Sequence, residues 1–368
     1  MDLLAELEYA YDKVIGIDLG NGLINVRSVY DDGTPYKLTM PNAFVRKEDL
    51  GLGDAVKNLK LDFYGIEGIV YGWGKEIMNL SPVHSSAGYM NRYRAEPYKI
   101  MTKIVLAKVY DDLNISADDD VLIVTGVPSD ETGTESEKEI QEAFMGVHDV
   151  TVNGKNLLFK VVNVEVMAQP VATVMSRYLN EYGLVGDKRY EEMKVAVIDI
   201  GGGTTDLDIV HNMRRLNNYQ SVKHGFNRIY DKIRAEIAKK YPTSRPTNFT
   251  LLRLLIQGEN EEGKFLYKPS MRLEPVDFTD ALDKGIYDLV VDIHGTIPAY
   301  WVDQTDIDEL LLVGGSAELF EEYIGDVADG VVVPENNGDS NVEGYFRTGM
   351  MRSLQKAKAR KAKAKQSV

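Results

Sequence analysis

"VAVIDIGGGTTDLDIV", residues 195–210, decides how this chain is read. Four apolar, mostly β-forming residues lead to Asp199. After Ile200 come Gly201, Gly202 and Gly203, then Thr204, Thr205 and Asp206, and the segment returns to β-formers. Glycines let a backbone approach an anion closely and aim several N–H groups at it. A carboxylate beside such a turn does not bind phosphate. It can hold a hydrated Mg²⁺, which takes oxygen ligands and keeps several waters. Taken alone, the same residues also describe a plain hairpin with an aspartate at its mouth.

A second copy tips the balance. "VIGIDLGNGLINV", residues 14–26, repeats the order of apolar run, aspartate, glycine turn and apolar strand. Asp18 stands where Asp199 stands, and Gly20, Asn21 and Gly22 replace the triple glycine. Two such corners in two halves of one chain can hold the two sides of one polyphosphate in a common cleft. A third element, "LLLVGGSAEL" at 310–319, sets Gly314 and Gly315 between a buried strand and a helix start, where free amides face an anion or a base. Competing motifs fail. There is no G-x-x-x-x-G-K-[ST], and "GLGDAV" at 51–56 follows no strand and lacks the last glycine of a dinucleotide fingerprint. The five histidines are scattered without metal-ligand spacing.

The rest of the chain reads as alternating strands and helices. Residues 96–113 carry Ile100, Ile104, Val105 and Ala107 on helical spacing after a first-turn proline. Residues 121–128 are a buried strand, 131–145 a polar helix, and 226–241 an amphipathic helix with Phe226, Ile229, Ile233 and Ile237 on one face. Residues 31–95 and 212–285 read as smaller inserted subdomains.

With 44% hydrophobic and 27% charged residues over 368 positions, the composition is that of a globular protein with a sizeable core. The absence of cysteine excludes disulfides and thiol chemistry and fits a cytoplasmic address. "MDLLAELEYAYDK" is too short and too acidic for a signal peptide. Leu3, Leu4 and Leu7 could form one face of a short helix, but Asp2, Glu6 and Glu8 disfavour an anionic membrane. No stretch of about 18 apolar residues occurs, so no membrane partner is expected. The net charge is −15, yet the segment 356–365 carries six basic residues and no acid, which leaves the remainder at −21. Such a body does not favour nucleic acid, whereas the segment itself reads as a solvated, disordered end that can touch DNA or an acidic partner.

Taken together, Asp18–Gly22, Gln169-Pro170, Asp199–Asp206, Gly314-Gly315 and "NVEGY" at 341–345 resemble the actin, heat-shock chaperone and sugar kinase ATPase superfamily. "TGVP" at 125–128 and the overall size look most like its ParM-type bacterial actins, filament proteins that segregate plasmids. The resemblance covers roughly residues 12–352. It implies the actin-like ATPase fold: two similar α/β domains with mixed five-stranded sheets flanking a nucleotide cleft. The first domain would take 1–165, completed by 340–355; the second would take 166–339; 356–368 would be the basic tail.

The resemblance also implies roles. Asp18 and Asp199 position Mg²⁺ through water. Gly20, Asn21 and Gly22, with Gly201, Gly202, Gly203, Thr204 and Thr205, cradle the phosphates. Gly314, Gly315 and Ser316 approach the α-phosphate and base, Gly225 lies near the ribose, and Gln169 orients the attacking water. Asn25 stands where the family often has a phosphate-binding Lys, and Arg27 on the same strand face is the expected substitute. The ribose-gripping helix would fall near 248–259, where Arg253 is the one candidate, so ATP and GTP both stay open as substrates. The function implied is nucleotide-driven polymerisation with itself, hydrolysis on assembly, and movement of plasmid DNA through a DNA-binding adaptor protein. A monomeric small-molecule kinase and a chaperone-like ATPase are the alternatives. Against them, no sugar-kinase signature is visible and about 16 residues follow Arg352.

Overall fold

Each half of the molecule is built on a hairpin that sends one face into a main core and carries aspartate on the other, with Asp18 in the first half and Asp199, Asp206 and Asp208 in the second. The computed structural model describes residues 7–51, 59–80, 83–88, 91–217, 219–301, 305–324, 330–335 and 337–366. It divides into two units. The first comprises residues 1–194, 210–215 and 339–368; the second comprises 195–209 and 216–338. Leu3 and Leu4, read above as one face of an N-terminal helix, lie outside the described residues.

The strands of the first unit, in chain order, are β1 (Lys13–Leu19), β2 (Leu23–Val29), β3 (Pro35–Pro41), β4 (Val45–Arg46), β5 (Asp62–Ile66), β6 (Ile69–Trp73), β7 (Val121–Val127), β8 (Gly146–Val152), β9 (Lys155–Val161) and β10 (Asn163–Ala168). They form two sheets. The main one is five-stranded and mixed, in the order β10-β7-β1-β2-β3, with β10, β7 and β1 parallel and the rest antiparallel. The smaller one runs β4-β6-β5-β8-β9. The expected insertion at 31–95 is therefore corrected at both ends. Pro35–Pro41 belongs to the main sheet, and the later hairpin β8–β9 joins the smaller one. Pairing of β8 with β5 is a contact between distant segments, which local periodicity does not reveal.

Ile15, Ile17 and Leu19 of β1 and Ile24 and Val26 of β2 point into the core that this unit's two sheets share with the helix Glu96–Asp112. That helix is buried nearly all round, as expected of one enclosed on every side. Val14, Gly16 and Asp18 face the other way, toward a second cluster contributed by the final helix, Ser340–Gln366. A Cβ on Gly16 would sit 2.8 Å from the Phe346 amide nitrogen and the Val342 carbonyl oxygen, so the helix backbone rests directly on β1.

The first unit runs on to Lys194 because the helix Gln169–Tyr178 packs on this same final helix. Gly344 lies against the Ala172 carbonyl, with no room for a side chain, and Thr173 Oγ1 donates to Asn341 Oδ1 at 2.8 Å. The sequence boundary at 165 cut through this contact.

The second unit contains β11 (Lys194–Ile200), β12 (Thr205–His211), β13 (Arg214–Arg215), β14 (Gln220–Val222), β15 (Leu266–Tyr267), β16 (Val276–Asp277), β17 (Glu309–Val313) and β18 (Val331–Val332), the end of the β12–β13 hairpin grouping with the first unit. Its sheet follows the five-strand path β13-β12-β11-β17-β18, and β14 adds a sixth strand by pairing with β12. β17 runs parallel to β11 as β7 does to β1. Ala196, Ile198, Ile200, Leu207 and Ile209 pack under the helices Asn227–Lys240 and Thr279–Tyr300. The isoleucines at 229, 233 and 237 are buried as their spacing predicts.

Residues 356–366 continue the final helix, which overturns the expectation of a disordered tail. Alanine and lysine are good helix formers. A helix already running from Ser340 has also met the cost of nucleation that an isolated segment would face. Among the described residues no helix is long and apolar enough to cross a membrane.

Candidate functional site

Alternation explains where the carboxylates go. In β11, Ala196, Ile198 and Ile200 enter the core, so Val195, Val197 and Asp199 share the opposite face. In β12, Leu207 and Ile209 enter the core, which puts Asp206 and Asp208 on that same opposite face. All three aspartates are buried. Asp208 was not singled out from the sequence, although the period-two pattern Asp206-Leu207-Asp208-Ile209 carries the signal.

The loop beyond Asp199 closes on itself, with Gly201 N donating to Thr204 O at 2.9 Å. The helix start behind it takes up two of its carbonyls: Phe226 N donates to Gly201 O at 3.0 Å and Asn227 N to Gly202 O at 2.8 Å. Gly225 makes this possible. A Cβ there would lie 2.6 Å from Gly201 O and 2.7 Å from Thr204 N. It is buried against the loop, where the absence of a side chain permits this close packing. Thr205 is likewise buried, and its hydroxyl donates to His224 O at 2.9 Å.

Next in the sheet, Asp199 pairs with Val313 at the end of β17. Gly314 turns the chain there at φ 116°, a conformation for glycine, with its Cα against the Ile200 carbonyl. Gly315 and Ser316 follow on the same edge, and the Gly338 backbone stands behind Gly315. Gly314, Gly315 and Ser316 thus adjoin the Asp199 loop within one unit.

The first unit repeats the scheme. Asp18 and Asn25 are register partners on the face away from the main core, and both belong to the carboxyl end of β1 and its return strand. Gly20, Asn21 and Gly22 form the turn, and their amides make no backbone hydrogen bond among the described residues. Their carbonyls are held from behind. Asn42, fully buried, donates from Nδ2 to Gly20 O at 2.5 Å and from its amide to Gly22 O at 2.9 Å. Its Oδ1 accepts from Ser86 Oγ at 2.8 Å, and Arg92 donates to Leu19 O. Asn42, Ser86 and Arg92 were missed in the sequence, since a lone Asn after a strand carries no motif.

Burial raises the pKa of the Tyr98 phenol; the nearby Arg92 guanidinium opposes this and the Asp18 carboxylate adds to it. Gln169 opens its helix directly after β10, two strands from β1, or about 10 Å across the sheet. Asp18 and Gln169 lie at the carboxyl ends of β1 and β10, which both run parallel to β7, and open α/β sheets bind ligands at such ends.

The donor set bears on a metal. Among the described residues no group of three or more acidic or histidine side chains is placed to hold one. Single aspartates at strand ends fit Mg²⁺, which is bound through one or two carboxylates and keeps its waters.

Two family models match the chain. One, described as "Actin like proteins N terminal domain", covers residues 16–171; the other, "Alp7A C-terminal domain", covers 194–337. The chain belongs to the actin-like proteins. Solved structures share the fold of this actin-like chain. The crystal structure of apo psk41 ParM aligns with TM-score 0.69 at 20% identity, over 93% of this chain and 98% of that one. Ta0583, an archaeal actin homolog, in complex with ADP, aligns with TM-score 0.69 at 19% identity, over 92% and 99%. A 15-stranded ParM filament from Clostridium botulinum aligns with TM-score 0.68 at 17% identity, over 92% and 99%. No curated protein matches in sequence.

Two features of this actin-like chain then gain physical reasons. "TGVP" and "NVEGY" belong together because a Cβ on Gly126 would sit 2.5 Å from Tyr345 Cζ; the ring of this buried tyrosine occupies the space. Arg27 is corrected. It does not serve as a substitute phosphate ligand, because its Nε meets Glu343 Oε1 at 2.9 Å, its Nη2 pairs with Asp339, and its Nη1 donates to Val26 O at 2.8 Å. The guanidinium is spent on the first turn of the final helix. Arg253 lies half-buried on the helix Asn248–Gln257.

Proposed function

We propose that this actin-like chain is a filament-forming nucleotide hydrolase. It binds Mg-ATP or Mg-GTP, assembles with copies of itself, hydrolyses nucleotide on assembly and segregates plasmid DNA through an adaptor protein. The observation that carries the reading is the repeated corner: in each unit an aspartate ends a strand, a glycine turn follows, and a parallel neighbour lies beside it. The ADP held by Ta0583 and the filament of the Clostridium botulinum ParM support the nucleotide and the polymer respectively.

In this reading the amides of Gly20–Gly22 and of Gly202–Thr204 receive the phosphates of one nucleotide. Asp18 and Asp199 would hold Mg²⁺ through its waters, and the ion would supply neutralisation of phosphate charge. Gly314, Gly315 and Ser316 leave backbone room for the α-phosphate and base. Gln169 positions the water. An amide cannot act as a strong base, but it donates and accepts hydrogen bonds, and phosphoryl transfer asks mainly for positioning. A head-to-tail contact that does not close generates a helical polymer.

The experiment is sedimentation with parallel phosphate release. Purified chain with Mg-ATP or Mg-GTP should pellet and release phosphate, while Gln169→Ala should pellet but release phosphate at least tenfold more slowly. A chain that stays in the supernatant with every nucleotide would refute the filament reading.

A further inference from the structure

A corner that receives a polyphosphate needs positive charge, and the residues so far placed at the first corner bring none. Asp18 is an acid, Asn25 and Asn42 are neutral, and the Arg27 guanidinium is spent on Asp339 and Glu343. Arg92 supplies the missing sign. It stands in the short turn Arg92–Arg94, ahead of the helix Glu96–Asp112, and donates from Nη2 to the carbonyl of Leu19, the residue that leads into Gly20.

The rest of its donors are open. A guanidinium carries five N–H groups in a planar fork. The bond to Leu19 O is the one hydrogen bond this guanidinium makes among the described residues, and no carboxylate there pairs with it. The side chain is half-buried, and its Nε is shielded from water without a partner. A cation placed in this way gives up hydration and gets no counter-charge in return, unless an anion arrives.

The fork is also held in position. Its Cζ lies 5.8 Å from the ring centroid of Tyr93 and 5.5 Å from that of Tyr98, and the two rings meet edge to face at 5.2 Å. Both rings are buried, and Tyr93 Oη donates to Glu131. Stacking on aromatic faces fixes a guanidinium while leaving its in-plane donors available. The Tyr98 phenol feels both the Arg92 guanidinium and the Asp18 carboxylate, which sets the two charges in one neighbourhood.

We propose that Arg92 is the phosphate-binding cation of the first corner. Its open donors take phosphate oxygens of a nucleoside di- or triphosphate seated on the Gly20–Gly22 turn. Guanidinium donors match phosphate oxygens and stay charged at any working pH. The inference rests on the proposed nucleotide reading and deepens it: Arg92 takes the duty that a neutral Asn25 cannot perform and that Arg27 does not. Asn42 acts on the ligand through the carbonyls of the turn, whereas Arg92 touches it.

The test is calorimetry of the full chain with ATP, ADP and AMP in the presence of magnesium, on wild type, R92Q and R92K. Wild type should bind ADP at least tenfold more tightly than AMP, whose single phosphate belongs to the Gly314–Ser316 edge. R92Q should lose about tenfold or more in affinity for ATP and ADP, as expected for hydrogen bonds to a charged group, and less than threefold for AMP. R92K keeps the charge without the fork and should recover part of that loss. Raising potassium chloride should weaken ADP binding less in R92Q than in wild type, a difference that a mere strut for Leu19 O would not produce. The inference is overturned by R92K as weak as R92Q, by AMP affinity that falls in the same proportion as ADP affinity, or by an unchanged salt response. Should R92Q not fold, wild type alone decides, since equal affinity for ADP and AMP overturns the inference as well. A wild type that takes up no nucleotide defeats the proposed function itself. Equal ADP binding by wild type and R92Q defeats the role of Arg92 and leaves that function standing.

Discussion

At the first glycine corner the decisive residue is one with no motif of its own. Asn42 ties down both glycine carbonyls of the Gly20–Gly22 turn, and Ser86 fixes which way its amide points. Turning the carbonyls back in this way keeps the amides on the ligand side. Asn42→Asp removes the donor to Gly20 O yet keeps an acceptor for Ser86, so it should loosen the turn without opening a cavity. We expect at least tenfold weaker binding of nucleoside di- and triphosphates by calorimetry, with the monophosphate little changed. Wild type that binds no nucleotide would undo the proposed function; wild type that binds, with Asn42→Asp its equal, would undo only the role of Asn42. Gly225 sets a steric limit in the second unit. Gly225→Ala forces a methyl against two carbonyl oxygens and an amide, and overpacking of this kind costs about 1–3 kcal/mol. A lowered melting temperature together with lost nucleotide affinity should report it.

Among elements, the final helix depends on one buried cation. Arg27 is 3% exposed and meets Asp339 and Glu343, both at the helix N-terminus, where negative charge is also favoured by the helix dipole. Removing one partner of a buried pair leaves its counter-charges uncompensated. Arg27→Met should therefore destabilise the first unit by about 2–4 kcal/mol, somewhat under the fully buried case because Asp339 keeps 28% of its side-chain surface. Urea unfolding measures this.

The smaller sheet of that unit carries a pH dependence. Burial against Phe159, with which it stacks, pushes the His148 imidazole below its ordinary 6.5, so the folded state keeps it neutral. The unfolded chain then binds the extra proton. The contribution is complete above pH ~6.5 and is lost as pH falls through the lower folded value. His148→Gln, which can still donate to Phe144 O, should flatten the melting temperature between about pH 6.5 and 5. A wild-type profile already flat across that range would contradict the assignment.

How much of this was legible follows from chemistry. Asp18, Asp199 and the glycine corners announce themselves because those residue types answer a local backbone demand. Asn42 and Arg27 do not, since their duties depend on partners brought in from residues 86 and 339–343. Gly225 was legible as a helix opener, while its packing against Gly201 needed the fold. The helical end at 356–366 was misjudged because charge was weighed without the helix that runs into it.

Over the whole molecule, net charge sets the sign of the salt dependence of the proposed assembly. Copies carrying −15 each repel one another, so assembly must rest on apolar or locally paired contacts that overcome a long-range penalty. Salt screens that penalty: the Debye length falls from about 30 Å at 0.01 M to about 8 Å at 0.15 M. The critical concentration for pelleting with Mg-ATP or Mg-GTP should therefore fall as salt rises over this range. A titration of potassium chloride, read by sedimentation, tests this. If the critical concentration instead rises with salt, attraction between opposite charges dominates the subunit contact, and the basic helix, as the largest block of positive charge in an acidic chain, becomes the first segment to delete in search of it.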